Sequence, residues 1–291
     1  MQISTLTFFS NYFNHHQKAL CDEWFRIFGE NFTFVETEPI EGFRANMGWG
    51  NEEVPSYVLK TYLSEENKAK AIALGVDSDL VVMGTAPEEF ITKRLKQDKL
   101  TFRYSERPLK EGFIKFFIPR LTVKYHKLHI KNRKKQLYIL AASAYTASDY
   151  KKMKCYIDKC YKFGYFPQFM QYDIQQLMKE KHEHAVEGNT TILWTGRMLK
   201  LKRPDLLLHA AKRLKDKGYH FSVKFVGDGE EREHLIQLVN QYGLNDLVSF
   251  QGFLSPIEAR EEMAKANIYV MTSNFLEGWG SVIYEGLNAG C

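Results

Sequence analysis

The last eighteen residues, Asn274-Phe-Leu-Glu-Gly-Trp-Gly-Ser-Val-Ile-Tyr-Glu-Gly-Leu-Asn-Ala-Gly-Cys291, carry most of the information about fold and chemistry. They follow a short apolar run, Ile268 to Met271, and lead into a helical pattern from Ser281 to Asn288. An apolar strand, a glycine-rich loop and a helix in that order form the repeating unit of a parallel sheet. Glu277 falls in the loop and Glu285 inside the helix, at most about 12 Å apart along a helical path. Between them lie the unpaired amides of Gly280, Ser281 and Val282 and the positive end of the helix dipole, a place that suits an anion.

The same unit recurs upstream. Strands are expected at Thr191 to Trp194, Ser222 to Val226 and Val248 to Gln251, with helices at Arg203 to Lys215, Glu230 to Tyr242 and Pro256 to Ala264. Sheets of this kind bind ligands at the carboxyl ends of their strands. The first strand ends in Thr195-Gly196-Arg197, with Lys202 five residues after the arginine. A guanidinium fork and a mobile ammonium suit two adjacent phosphates, while the alternative is a solvated loop and helix start, where Lys and Arg are common. The second strand ends in Gly227-Asp228-Gly229, which either brings backbone close to a ligand or makes a tight turn. After the third, Phe253 and Leu254 offer an apolar face to a base, while Ser255 and Pro256 open the next helix.

Together these residues describe an elongated ligand. A carboxylate accepts hydrogen bonds from a vicinal diol, so Glu277 suits a sugar and Glu285 a ribose, with a diphosphate between them for Arg197, Lys202 and the amides. That ligand is a nucleotide diphosphate sugar.

The N-terminal half reads as a first alternation. Strand-like runs occur at Ile3 to Phe9, Phe32 to Val35, Leu80 to Met83, Leu100 to Tyr104 and Tyr138 to Ala142, with helical stretches at Asn14 to Phe28, Glu65 to Leu74 and Pro87 to Leu95. Gly164 and Pro167 break the pattern and a charged run follows. The expected division is residues 1–165, a linker over 166–188, and residues 189–291. The fold class is α/β, with two doubly wound domains.

Residues 191–291 resemble the nucleotide-binding domain of the retaining glycosyltransferases of family 4, which have the GT-B fold of two Rossmann-like domains facing a cleft. The resemblance rests on Gly196-Arg197 with Lys202, Val226-Gly227-Asp228-Gly229, the turn Val248-Ser-Phe-Gln-Gly252, and Glu277 with seven residues before Glu285. It implies catalytic roles for Glu277, Arg197 and Lys202. Donor binding would fall to Gly196, Gly227, Asp228, Phe253, Leu254, Gly278, Trp279, Gly280, Ser281, Val282 and Glu285. It further implies a donor sugar carried on UDP, retention of anomeric configuration, and no metal or other cofactor. The acceptor would be a saccharide or lipid-linked saccharide in surface polysaccharide or glycolipid synthesis, met by the first domain through Asn14, His15 and Arg107. In the family further strands and helices follow the segment ending Ala289-Gly290-Cys291, so the resemblance implies a second domain that is incomplete at its C-terminus and a chain that is a fragment.

Charge and cysteine content narrow the remaining readings. The net charge is +5, yet Ile91 to Lys135 alone contains fifteen Lys or Arg against three acidic residues. Interleaved with Phe113, Phe116, Phe117 and Tyr125, this stretch suits either an interfacial helix on anionic lipid or a helix packed on its own sheet. No nucleic-acid-binding module accompanies it. The four cysteines lack metal or redox spacing and read as free thiols. No basic leader precedes MQISTLTFFSNYF, and the expectation is a cytoplasmic protein with peripheral contact at the inner membrane face. A nicotinamide oxidoreductase fits poorly, because neither Ser10 to Gln17 nor the loop at Gly196 has the glycine spacing used for its pyrophosphate. The alternative is a non-catalytic nucleotide-sugar-binding or scaffold protein of the same fold.

Overall fold

The computed structural model describes residues 2–40, 42, 53–188 and 190–291. The chain folds as two compact units, Met1–Gln168 and Phe169–Cys291.

In the first unit the strands are β1 (Leu6–Ser10), β2 (Phe32–Glu36), β3 (Val58–Lys60), β4 (Leu80–Met83), β5 (Thr101–Ser105), β6 (Leu137–Ala141) and β7 (Cys160–Lys162). They form one parallel sheet in the order β3-β2-β1-β4-β5-β6-β7. All five residues of β1 are buried, as a central strand covered on both faces requires. Successive side chains alternate sides: Phe8 packs with Phe32, Phe34 and Trp24, whereas Phe9 packs with Phe90, Ile91 and Ile139. Each such phenylalanine contributes about 2 kcal/mol of burial, so slipping the register by one residue is strongly disfavoured.

Helix α1 (His15–Phe28) starts where Asn14 accepts a hydrogen bond from the His16 amide, at 2.9 Å. Helices α2 (Glu65–Asp77) and α3 (Glu89–Lys96) cover the sheet near β4. The basic stretch continues as a 3-10 turn (Phe113–Phe117), α4 (Pro119–Tyr125) and a π turn (His126–Ile130), and α5 spans Thr146–Lys152.

The second unit opens with α6 (Ile174–Val186), inside the stretch expected to be a linker. Its charged sequence conceals a docking face. Leu177 and Lys181 are buried, and the Lys181 ammonium donates to the Met263 and Ala266 carbonyls. The strands β8 (Thr191–Thr195), β9 (Ser222–Val226), β10 (Val248–Gly252) and β11 (Ile268–Tyr269) are parallel in the order β10-β9-β8-β11. Helices α7 (Asp205–Asp216), α8 (Arg232–Gln241), α9 (Pro256–Lys265) and α10 (Val282–Asn288) connect or follow them. Ile192 and Trp194 of β8 pack with Leu207, Leu208 and Phe225, while Leu193 packs with Val226, Met263 and Ala289. Because strand order reverses on either side of β8, the crevice between β8 and β11 is a topological switch point.

Candidate functional site

Four loops leave the carboxyl ends of the second sheet and are joined main chain to main chain. The Gly196 amide donates to the Val226 carbonyl at 3.0 Å, the Met198 amide to Asp228 at 2.8 Å, and the Gly227 amide to Gly252 at 2.7 Å. On the other side of the switch point, the Asn274 amide donates to the Leu201 carbonyl at 2.8 Å. The Thr272 hydroxyl donates to the Lys202 carbonyl at 2.7 Å and accepts from the Trp194 indole at 3.0 Å. Gly227 makes this packing feasible: its φ is +124°, and a Cβ there would lie 2.0 Å from the Gly196 carbonyl oxygen.

At the switch point the Lys202 ammonium meets the Glu277 carboxylate at 2.7 Å, each side chain about one fifth exposed (18% and 21%). The Ser273 hydroxyl donates to the same oxygen at 2.8 Å. Burial works against ionised Glu277, but Lys202, Ser273 and the Gly278 amide outweigh it and hold the carboxyl below its ordinary range. Arg197 is exposed and, among the described residues, forms no ion pair. Its neighbour Arg203 sits in the left-handed region at φ 48°, held by Asp205 through bonds of 3.0 and 2.9 Å.

Glu285 lies in α10, and burial pushes its carboxyl up against the opposing pull of Arg260. Arg260 Nε sits 3.3 Å from Glu285 Oε1, and both side chains are at most one tenth exposed. Sequence reasoning missed this partner: in the run Glu258-Ala-Arg-Glu-Glu262 an arginine reads as a solvated charge.

The remaining residues expected to bind a donor lie in the loops after β9, β10 and β11 and at the start of α10. Asp228 Oδ1 accepts from the Gly229 amide at 2.7 Å, so part of its capacity goes to the turn. Phe253 is exposed and Leu254 packs against the core. Gly280 is in the left-handed region, Ser281 precedes the first residue of α10, and Val282 begins it. The Trp279 ring stacks on Tyr284, with centroids 5.8 Å apart.

The three residues expected to meet an acceptor are already engaged within the first unit. Asn14 caps α1, the His15 ring lies against His16 at 4.0 Å, and Arg107 grips buried Asp149 with bonds of 3.1 and 3.3 Å. The basic stretch is also less free than its composition suggests. Arg94 is buried, with its guanidinium on the Ser78, Asp79 and Leu100 carbonyls, and Arg103 is buried against Glu88. Farther along, Ile114 and Phe117 are exposed at 78% and 66%, on the segment that also carries Lys115, Arg120 and Lys124. No helix among the described residues is long and apolar enough to cross a membrane.

Two parallel doubly wound sheets, the second smaller, give the chain the α/β architecture of the GT-B class of folds. Residues 176–291 match the family model described as Glycosyl transferases group 1. A 2-deoxystreptamine glucosyltransferase of Streptomyces kanamyceticus is 31% identical over 113 residues, which span 39% of this chain and 29% of that protein. Among solved structures, Anabaena Alr3699/HepE in complex with UDP aligns at TM-score 0.67 and 17% identity, over 98% of this chain and 79% of that one. WaaG, a glycosyltransferase involved in lipopolysaccharide biosynthesis, aligns at TM-score 0.62 and 13% identity, over 98% and 79%.

Proposed function

We propose that the protein transfers a sugar from a UDP-linked donor to a saccharide or lipid-linked saccharide acceptor, with retention of anomeric configuration. The observation that carries this reading is the Lys202–Glu277 pair at the switch point of the second sheet, with Arg197 in the same loop. The contact between a phosphate-binding and a sugar-binding group fits a donor in which the distal phosphate is bonded directly to the sugar. UDP and UDP-glucose in structures of Alr3699/HepE support the nucleotide, and the lipopolysaccharide role given for WaaG supports a surface glycan.

In the reaction the acceptor hydroxyl attacks the sugar carbon on the face the diphosphate leaves. The bond to the phosphate oxygen breaks, and that oxygen takes the acceptor's proton. Arg197 and Lys202 stabilise the charge growing on the leaving diphosphate, while Glu277 orients the sugar through its hydroxyls. Glu285, fixed by Arg260, receives the ribose hydroxyls.

The test is UDP release from UDP-glucose and a panel of other nucleotide sugars, with binding measured alongside. Arg197→Ala is expected to weaken UDP binding about tenfold. Glu277→Ala is expected to leave UDP affinity nearly unchanged and to slow sugar release or transfer. Equal loss of UDP affinity in both variants would count against this assignment of ends, and no binding of any nucleotide sugar would sink the activity.

The acceptor reading extends to where the protein works. Exposed Ile114 and Phe117 among Lys115, Arg120 and Lys124 suit the surface of an anionic bilayer, the apolar side chains entering the interface and the cations meeting lipid headgroups. Co-sedimentation with phosphatidylglycerol-containing vesicles should exceed that with neutral vesicles and fall with rising salt. The double variant Ile114→Ser, Phe117→Ser should lose most of it. Equal binding to neutral vesicles would rule out this surface.

A further inference from the structure

Glu285 is held from one side, by a helix that is itself fixed. Helix α9 starts in a capping box: the Glu258 amide donates to the Ser255 hydroxyl, and the Ser255 amide donates to the Glu258 carboxylate at 2.8 Å. On its inner face Arg260 and Met263 are both buried, one turn apart. Met263 packs with Leu193, Val226 and Ala289, while Arg260 reaches α10 and donates from Nε to Glu285 Oε1 at 3.3 Å.

As a stabilising contact this pair is weak. An arginine and a carboxylate can share two short parallel bonds, but here, among the described residues, there is a single long one. Both side chains are at most one tenth exposed, so two charges have lost most of their water for little return. The spare bonding capacity is unequally placed. Arg260 Nη2 is closed to solvent and has no partner among the described residues, so a ligand does not reach the guanidinium. Glu285 keeps a tenth of its side chain exposed, and Arg260 takes only one of about four lone-pair positions on it.

The other groups facing Glu285 carry no compensating positive charge. Tyr172, ahead of α6, lies near Arg260, Glu261, Glu285 and Cys291, and Tyr269 of β11 lies near Glu285 and Glu277. Burial pushes both phenols and the Cys291 thiol up, so all three stay neutral. Burial pushes the Glu285 carboxyl up as well, and Arg260 is the charge that opposes it. Without Arg260 the carboxyl moves further toward its protonated form, which accepts weaker hydrogen bonds than the anion does.

We propose that Arg260 is a positioning residue that makes the donor site select ribonucleoside over 2′-deoxyribonucleoside diphosphates. The proposal rests on the glycosyl-transfer reading given above, in which Glu285 receives the ribose. Arg260 acts through Glu285: it fixes Oε1 and keeps the carboxylate charged, and the ribose diol then satisfies the remaining acceptor positions. A 2′-deoxyribose leaves part of a nearly dry anion unpaired, and a site built to bond a hydroxyl rejects the analogue that lacks it. The donor class that follows is a sugar on a ribonucleotide, with sugars on deoxythymidine diphosphate excluded.

Isothermal titration calorimetry of the full chain with UDP and with 2′-deoxy-UDP, at mildly acidic, neutral and alkaline pH, tests this. Both ligands carry the same diphosphate, so the ratio of their affinities isolates the ribose end. Wild type should prefer UDP about tenfold. Arg260→Met should bring the ratio close to one at neutral pH, and the preference should return at alkaline pH as Glu285 ionises. Arg260→Lys, which keeps a positive charge, should retain most of the preference. If Arg260 were merely structural, Arg260→Met would weaken both ligands alike and leave the ratio unchanged, which overturns the proposal. Should Arg260→Met fail to fold, the comparison moves to Glu285→Gln, where no carboxylate remains to be positioned. Adding Arg260→Met to Glu285→Gln should leave the ratio as it is, and a further change would show that Arg260 does not act through Glu285. Wild type that binds both ligands equally overturns the proposal and leaves the donor reading standing. No UDP binding by wild type removes the donor reading, and this proposal with it.

Discussion

Replacing Gly227 by alanine should cost the second unit about 3 kcal/mol, on the order of 10 °C in Tm, and abolish nucleotide binding. Two effects add. The φ of +124° is strained for any residue with a Cβ, and that Cβ would meet the Gly196 carbonyl oxygen at 2.0 Å. Backbone cannot step aside cheaply here, because the Gly196 amide is bonded to Val226 and the Gly227 amide to Gly252. Gly218→Ala separates the two contributions. Gly218 has a φ of +80°, and a methyl group there would meet nothing within 4 Å, so only conformational strain applies, about 1 kcal/mol. Thermal unfolding of both variants is the measurement. Equal losses would mean that the contact between the loops after β8 and β9 is not what holds them.

Lys202→Met should reduce UDP-sugar turnover by about 10²- to 10³-fold, the scale of removing one group that stabilises transition-state charge. It should also move the acid side of the pH profile. Glu277 is held below its ordinary range chiefly because Lys202 overcomes burial, so its ionised form stabilises the fold above the unfolded pKa and is lost only as pH falls through the lower folded pKa. Without the ammonium, burial dominates, the folded pKa rises, and the acid limb should shift to higher pH. The double variant Lys202→Met, Glu277→Gln should lose that limb, and its stability should exceed the single variant's because no unpaired buried charge is left. A single variant with an unshifted acid limb would detach Glu277 from Lys202.

How far the sequence reveals this architecture depends on what each residue reports. The expected limits of Ser222 to Val226 and of Leu80 to Met83 coincide with β9 and β4, because buried strands with β-branched and aromatic residues end sharply at glycine. Three-residue β3 and β7 escaped notice, since edge strands so short carry no readable alternation. Helix α6 was hidden because Lys181, a residue that advertises solvent, is buried and satisfied by carbonyls distant in sequence. At the site, Lys202 and Glu277 are legible as types at a spacing, but their 2.7 Å contact is not. Arg260 is invisible for the same reason: its meaning comes wholly from Glu285, 25 positions away.

The four loops of the second unit touch through amides and carbonyls, so their frame owes little to the side chains that project from it. Heritable change can exploit this. Exposed Arg197 and Phe253 can be exchanged one mutation at a time while the loops stay where they are, whereas Gly227 admits almost no alternative. On the glycosyl-transfer reading, the side chains that would meet the donor and the backbone contacts that hold the scaffold are written in separate parts of the same loops, and a lineage can alter the first without risking the second.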